Sequence, residues 1–259
     1  MAANPLPPPF ITIEGIINAR SVGGYSDPPT KPNLLYRCAD PSRITPTGKI
    51  QLQALGISDV FDFRADDEIA SYNTPAPDVA GITFHRVPVS EKRAFDPISL
   101  AARMEEFAND ERGTFVRLNN EILESAGPAF QTVLRHMLDN PDKPCMVHCT
   151  IGKDRTGIFT ALLLMLLGVP DKDIAAEYGL TSAALEPYAP LLIERFKQRV
   201  GNVEHDNWEG LSQMISSKPE NMEAILQMVR EKYGGAEGWV TTHTSLTSSD
   251  VELLRQNSR

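Results

Sequence analysis

Ten consecutive residues, His148 to Gly157, hold the groups that could do chemistry. A cysteine, Cys149, and an arginine, Arg155, are separated by five residues, with Gly152 between them and a hydroxyl, Thr156, directly after. A short apolar run, Pro144 to Val147, precedes them and reads as a buried strand; a longer one, Ile158 to Leu167, follows and reads as a buried helix. A loop between a strand and a helix N-terminus aims successive backbone N–H groups at one spot, and with the helix dipole this makes an anion site. Phosphate is its natural occupant. A thiol set among such donors and a guanidinium ionises far more readily than a free one, so Cys149 is a nucleophile placed beside the anion. Arg155 offers a planar fork for two phosphate oxygens and keeps its charge as the transferring group becomes more anionic.

The elements that must position this loop are legible on both sides of it. Phe10 to Asn18 is strand-like, and Gly23-Gly24-Tyr25 with Asp27-Pro28-Pro29 reads as a turn and loop. Leu34-Leu35-Tyr36 gives a second apolar run. A helix follows, with Thr45 as N-cap, Pro46 at its first position, Ile50, Leu52 and Leu55 as its apolar face, and Gly56 as its stop. Ile57 to Phe63 returns to a strand, and this order suggests parallel pairing because parallel strands need a crossover. Ile82 to Val89, closed by Pro88, is a further strand, and Gly127-Pro128 starts a helix through Leu138 that delivers the chain to the loop. The helix after the loop is apolar nearly all round and belongs in the middle of the fold.

Beyond Gly168 the chain reads as helical, over 171–178, 187–200, 208–215, 219–233 and 249–256. Met222, Ile225, Leu226 and Val229 there are packing residues, and His205 and His243 are isolated. The fold class is α/β, a central mostly parallel sheet flanked by helices, with a helical C-terminal half. The organisation expected is a flexible N-terminal tail over 1–9 and one domain over 10–259. Within that domain, 90–126 is expected as a helical lid, broken at Gly113, with Phe95, Met104, Phe107 and Phe115 supplying its apolar contacts; a packed helical layer is the alternative.

Composition bounds the function. The chain has 259 residues, 41% of them hydrophobic, enough for a sizeable core. A formal net charge of −9 argues against nucleic acid or a membrane surface as partner, so anion affinity has to come from the loop. The longest apolar stretch is about half the roughly 20 residues a membrane span needs, so no stable membrane insertion is expected. The N-terminus lacks the basic start and apolar core of a signal peptide. Three cysteines, Cys38, Cys145 and Cys149, show no pairing or metal spacing. A reducing, cytoplasmic setting fits them, and neither a metal nor a cofactor is called for. Cys145 reads as a core residue, and Cys38 as a candidate resolving thiol that would protect Cys149 from over-oxidation. The oligomeric state is not legible.

The residues also resemble a known family. His148-Cys149 followed by Gly152-Lys153-Asp154-Arg155-Thr156-Gly157 is similar to the Cys-x5-Arg-Ser/Thr signature of cysteine-dependent phosphatases, and in this form to the atypical tyrosine/serine phosphatases of bacteria and fungi. Asn18-Ala19-Arg20-Ser21-Val22-Gly23-Gly24, Tyr36-Arg37-Cys38-Ala39 and Asp62-Phe63-Arg64 resemble further motifs of that family, as do Lys218 to Met222 and Tyr233-Gly234-Gly235. Ser21 and Cys38 stand where the family pattern has Asp and Ser. No Trp-Pro-Asp tripeptide is present, and Trp208 and Trp239 both follow the signature.

The resemblance implies a cysteine-phosphatase-like fold and a phosphomonoester hydrolase working through phosphocysteine, on phosphotyrosine or phosphoserine proteins or on phosphoinositides. Cys149 would attack phosphorus while Arg155 and the N–H groups from Thr150, Ile151, Gly152, Lys153, Asp154 and Arg155 bind the equatorial oxygens. Thr156 would donate to the sulfur, and His148 would orient the loop from behind. With no Trp-Pro-Asp, the general acid is sought first at Asp154, which could instead serve as a helix N-terminal carboxylate, then at Asp62, with Asp66 and Asp67 behind. Asp62 and Arg64 end a strand, where ligands gather in α/β sheets, though charged strand ends also serve as solvated turns. Lys153 would widen acceptance toward multiply phosphorylated substrates, as in lipid phosphatases; a solvent-facing lysine is the alternative. A catalytically silent phosphate-binding module and a sulfurtransferase remain as other readings. A Walker loop is excluded because Gly152-Lys153 is followed by Asp.

Overall fold

The computed structural model describes residues 6–89, 97–200 and 208–259. Its first strand, β1, is Arg20–Val22 and its second, β2, Leu35–Cys38. The stretch from Phe10 to Asn18 is not a strand: it makes only single bridges, Phe10 to Arg20 and Ile13 to Ile16. Gly15 at φ +89° and Asn18 at φ +60° bend the backbone out of the extended region. Gly15 is required there, because a Cβ would lie 2.1 Å from the Arg43 carbonyl oxygen.

Helix α1, Pro46–Ala54, is built as its sequence predicts, with Thr45 Oγ1 accepting from Gly48 N at 3.1 Å. Its apolar face is narrower than expected: Leu52 is buried, whereas Ile50 is exposed. Strand β3 is Asp59–Asp62, α2 Asp66–Tyr72 and β4 Thr83–Arg86. Helices α3, Pro97–Asn109, and α4, Glu111–Ser125, follow. The break between them falls at Asp110, whose carboxylate caps Gly113 N at 2.9 Å. Gly113 is therefore inside the first turn of α4 and is not the breaker. Helix α5, Gly127–Asp139, leads to β5, Cys145–His148, and then to α6, Asp154–Leu166.

The sheet order is β1-β2-β5-β3-β4, with only β1 antiparallel. The β2-α1-β3 unit is parallel as expected, but β5 lies between its two strands, which puts the loop-bearing strand at the centre. Alternation then sorts the strand residues to two faces. Leu35, Phe61, Cys145 and Val147 join the core formed with α5 and α6, while Tyr36, Cys38, Val60 and Met146 join a smaller one under α1. Nearly every residue of α6 is buried, as expected of a central helix.

The C-terminal half is helical: α7 Asp171–Leu185, a short 3-10 turn Glu186–Tyr188, α8 Ala189–Val200, α9 Trp208–Ile215, α10 Pro219–Tyr233, α11 Ala236–His243 and α12 Ser248–Asn257. The sequence reading misses α11 and ends α7 too early. Met222, Ile225, Leu226 and Val229 of α10 are buried, and His243 stacks on Trp239 at 5.2 Å. Phe95 and His205 lie outside the described residues, as do residues 1–5 of the expected tail. No described helix is long and apolar enough to cross a membrane.

Candidate active site

Residues Cys149 to Lys153 leave the carboxyl end of the central strand and curl over the N-terminus of α6. Four successive carbonyls of this loop are held on its outer side. Cys149 O lies 3.3 Å from His148 Nδ1, Thr150 O accepts from Asp40 N at 3.1 Å, Ile151 O from Asn18 Nδ2 at 3.1 Å, and Gly152 O from Asn18 Nδ2 at 3.1 Å and Arg37 Nη2 at 2.6 Å. A trans peptide points its N–H away from its C=O. Fixing these carbonyls outward therefore turns the N–H groups of Thr150, Ile151, Gly152 and Lys153 inward, where the first turn of α6 adds its own donors. Gly152, at φ +67°, makes this curl against β2: a Cβ there would sit 2.3 Å from Cys38 O.

The back of the loop is an ion cluster drawn from three distant segments. Glu177 on α7 accepts from Arg20 Nε at 2.7 Å and from Arg37 Nη1 at 2.6 Å, and Arg20 also binds the Asn18 side-chain oxygen. Both arginines are fully buried and Glu177 nearly so. Burial works to raise the Glu177 carboxyl, but Arg20 and Arg37 hold it below the usual carboxylate range. Asn18, Arg20 and Arg37 thus act by gripping the loop, and Glu177 ties them together. Nothing local in the sequence marks Glu177; it is one of three acidic residues in α7, in a half of the chain that offered no chemistry.

Cys149 lies at the floor of a chamber of about 730 Å³, lined also by Lys153, Asp154 and Arg155. Arg155 is forked end-on by Glu68 of α2, Nη1 to Oε2 at 2.7 Å and Nη2 to Oε1 at 2.8 Å, and donates to Phe63 O at 3.2 Å. Glu68 is fully buried and also accepts from the Thr150 hydroxyl. In the sequence it is only the third of three consecutive carboxylates, Asp66-Asp67-Glu68. Its depth is what singles it out.

Lys153 is buried, contrary to the solvent-facing alternative. Its Nζ lies 2.6 Å from Asp154 Oδ1, 3.4 Å from the Tyr178 hydroxyl and 5.2 Å from the centre of the Phe115 ring. Asp154, the first residue of α6, stays partly exposed on the chamber wall. The Thr156 hydroxyl is buried with no hydrogen-bond partner among the described residues.

Asp62 is sealed away from the chamber. Its oxygens accept from Arg64 N at 2.9 Å, from the Arg64 side chain at 2.9 and 2.8 Å and from Arg86 Nη1 at 2.8 Å, and Arg64 also pairs with Asp40 at 2.8 Å. Burial pushes the Asp62 carboxyl up, but the adjacent His148 ring and the Arg64 fork outweigh it and bring it down to about 2. A carboxylate so held has no proton to give at neutral pH and no path to a substrate, which removes Asp62 from the acid candidates. Asp66, paired with Arg86 at 2.6 Å, is drawn to the same cluster. His148 is fully buried, and burial drives its ring below the usual imidazole range against the pull of Asp62.

Cys38 packs into the core under α1, its Sγ 3.3 Å from Met146 Sδ, and burial pushes its thiol up. Cys149 joins the other core. Cys145 is a core residue, its thiol pushed by burial up to about 12. Met104, Phe107 and Phe115 are all buried, and Phe107 and Phe115 line the chamber.

Known proteins are similar to this chain. A tyrosine-protein phosphatase of Nostoc commune is 29% identical over 227 residues, 86% of this chain and 73% of that protein. The triple specificity protein phosphatase PtpB of Mycobacterium tuberculosis is 25% identical over 253 residues, 87% of this chain and 90% of its own. Among solved structures, the core catalytic domain of a PP-IP phosphatase from S. cerevisiae, in complex with citrate, aligns over 89% of this chain and 97% of that one, with 14% identity and a TM-score of 0.34. The model of the tyrosine phosphatase family matches residues 11–258. The chain therefore belongs to the tyrosine phosphatase family.

Proposed function

We propose that the chain hydrolyses phosphomonoesters by the following route. Cys149 attacks phosphorus in line and forms a phosphocysteine, while Arg155 and the N–H groups of the loop bind the three equatorial oxygens. The observation that carries this reading is the set of four loop carbonyls held outward, which aims four N–H groups at the space beside Cys149 and Arg155. Glu68 fixes the plane of the guanidinium before substrate arrives, so little reorganisation is needed at reaction. The Thr156 hydroxyl, unpartnered and buried, donates to the sulfur when phosphocysteine is hydrolysed and the thiolate departs. His148 holds Cys149 O from behind and moves no proton.

Asp154 is the general acid. It is the carboxylate that borders both the loop and the chamber without being buried in an arginine cluster. A phosphate dianion beside Lys153 competes with Asp154 for the ammonium; the released carboxylate takes a proton from solvent, gives it to the leaving oxygen and, as carboxylate again, accepts a proton from the attacking water. Helices α3 and α4 form the cover, with Phe107 and Phe115 toward the chamber. Phosphotyrosine and phosphoserine proteins and phosphoinositides are the substrates carried over from the family resemblance, and the names of the relatives, a tyrosine-protein phosphatase and a triple specificity phosphatase, support the protein substrates.

The test is release of phosphate from p-nitrophenyl phosphate. Turnover that is insensitive to chelator and lost in Cys149→Ser supports the route. A folded wild-type protein with no turnover sinks it, and favours a silent phosphate-binding module.

A further inference from the structure

We propose that the chamber also accepts the phosphomonoester of a long aliphatic alcohol, alkyl or isoprenoid, as a single dissolved molecule. This rests on the phosphatase reading above. In-line displacement puts the leaving oxygen on the side of phosphorus opposite the Cys149 sulfur. The loop and α6 lie beneath, so the alcohol has to extend into the chamber. At about 730 Å³ the chamber is in the range that encloses a whole drug-sized ligand, roughly 300–1,000 Å³, and the ring of a phosphotyrosine fills only a small part.

Part of the wall away from the loop is apolar: Phe107 of α3, Ile122 of α4, Leu192 of α8 and Met214 and Ile215 of α9 can desolvate methylene groups, beside the polar Arg103 of α3 and Asn119 and Glu121 of α4. Two exposed apolar side chains stand on two of the same helices, and Leu191 of these also lines the chamber. Ile98 of α3 is 80% exposed and Leu191 of α8 48%, two of the four large apolar side chains that stand most exposed among the described residues. With a net charge of −9 the chain is repelled by an anionic bilayer, which favours the dissolved amphiphile over one embedded in a membrane.

The experiment compares kcat/KM on butyl, octyl and dodecyl phosphate below their aggregation thresholds, with p-nitrophenyl phosphate alongside. We expect a rise with chain length, up to about fourfold for each methylene that becomes fully buried, and a fall in the dodecyl-to-butyl ratio in Leu192→Asn. Met214→Gln replaces that variant if its melting curve shows loss of fold. Equal rates on the three alcohols, or a ratio unchanged in the variants, overturns the proposal. So does turnover seen only when dodecyl phosphate is presented in vesicles. If p-nitrophenyl phosphate is not turned over either, the phosphatase reading falls with it.

Discussion

The front and the back of the phosphate loop are built in opposite ways. The front, Cys149, Lys153, Asp154 and Arg155, comes from seven consecutive residues and faces the chamber. The back, Asn18, Arg20, Arg37 and Glu177, comes from the N-terminal segment, two strands and a helix 140 residues beyond Arg37, and touches no chamber. In the proposed route the front supplies the reactive groups; the back decides where the backbone dipoles of the loop point. A catalytic loop of this kind is only as good as the grip on its carbonyls. Glu68 stands between the two sets: it contacts the front arginine from a separate helix and plays for the guanidinium the role that Asn18 plays for the carbonyls.

That contrast can be broken by substitution. The largest effect is expected for Asp154→Asn, which should lower kcat/KM on a poor leaving group such as phenyl phosphate by about 10² to 10⁴-fold while costing kcat/KM little on p-nitrophenyl phosphate, since kcat/KM reports only the steps up to phosphocysteine. An equal loss on both esters would show that Asp154 is not the acid. Glu68→Gln should cut kcat/KM by on the order of 10²-fold, because a guanidinium displaced by about 1 Å misaims its donors. The melting temperature should move little, as the shape is kept. A large melting shift with an unchanged rate would make Glu68 a structural residue only.

On the back of the loop, Asn18→Ala leaves Ile151 O without its donor and Gly152 O with Arg37 alone. It should lower stability by about 1–3 kcal/mol in chemical denaturation and also weaken binding of vanadate, a phosphate mimic. Stability loss with vanadate affinity intact would separate back from front and refute the dependence argued above.

The smallest effect is set by pH. The Asp62 carboxyl, lowered to about 2, contributes stability that is fully present above its ordinary value near 4 and is lost as pH falls through about 2. Glu177, also held low, acts in the same direction. Acid unfolding should therefore steepen below about pH 4, and Asp62→Asn should flatten that profile by roughly 2 kcal/mol. A variant with the wild-type acid profile would show that Asp62 is not held low.

Sequence alone determined the reactive front, because strand, loop and helix are contiguous there. The spacing of Cys149 and Arg155 and the apolar runs around them put thiol, guanidinium and helix N-terminus together with no need of distant contacts. It also determined the α1 cap at Thr45 and the apolar stripe of α10, which depend on neighbours within a turn or two. The tertiary structure alone decided the rest. Asp62 and Asp154 are both carboxylates next to a strand or helix end, and only packing turns one into the fork of Arg64 and Arg86 and leaves the other on the chamber. Lys153 looks like a surface lysine until Tyr178 and Phe115 close over it. Glu68 and Glu177 carry no local signal, because what makes each matter is burial against an arginine far away in the chain. Residue type and spacing report chemistry over a few residues; desolvation and ion pairing depend on the whole fold.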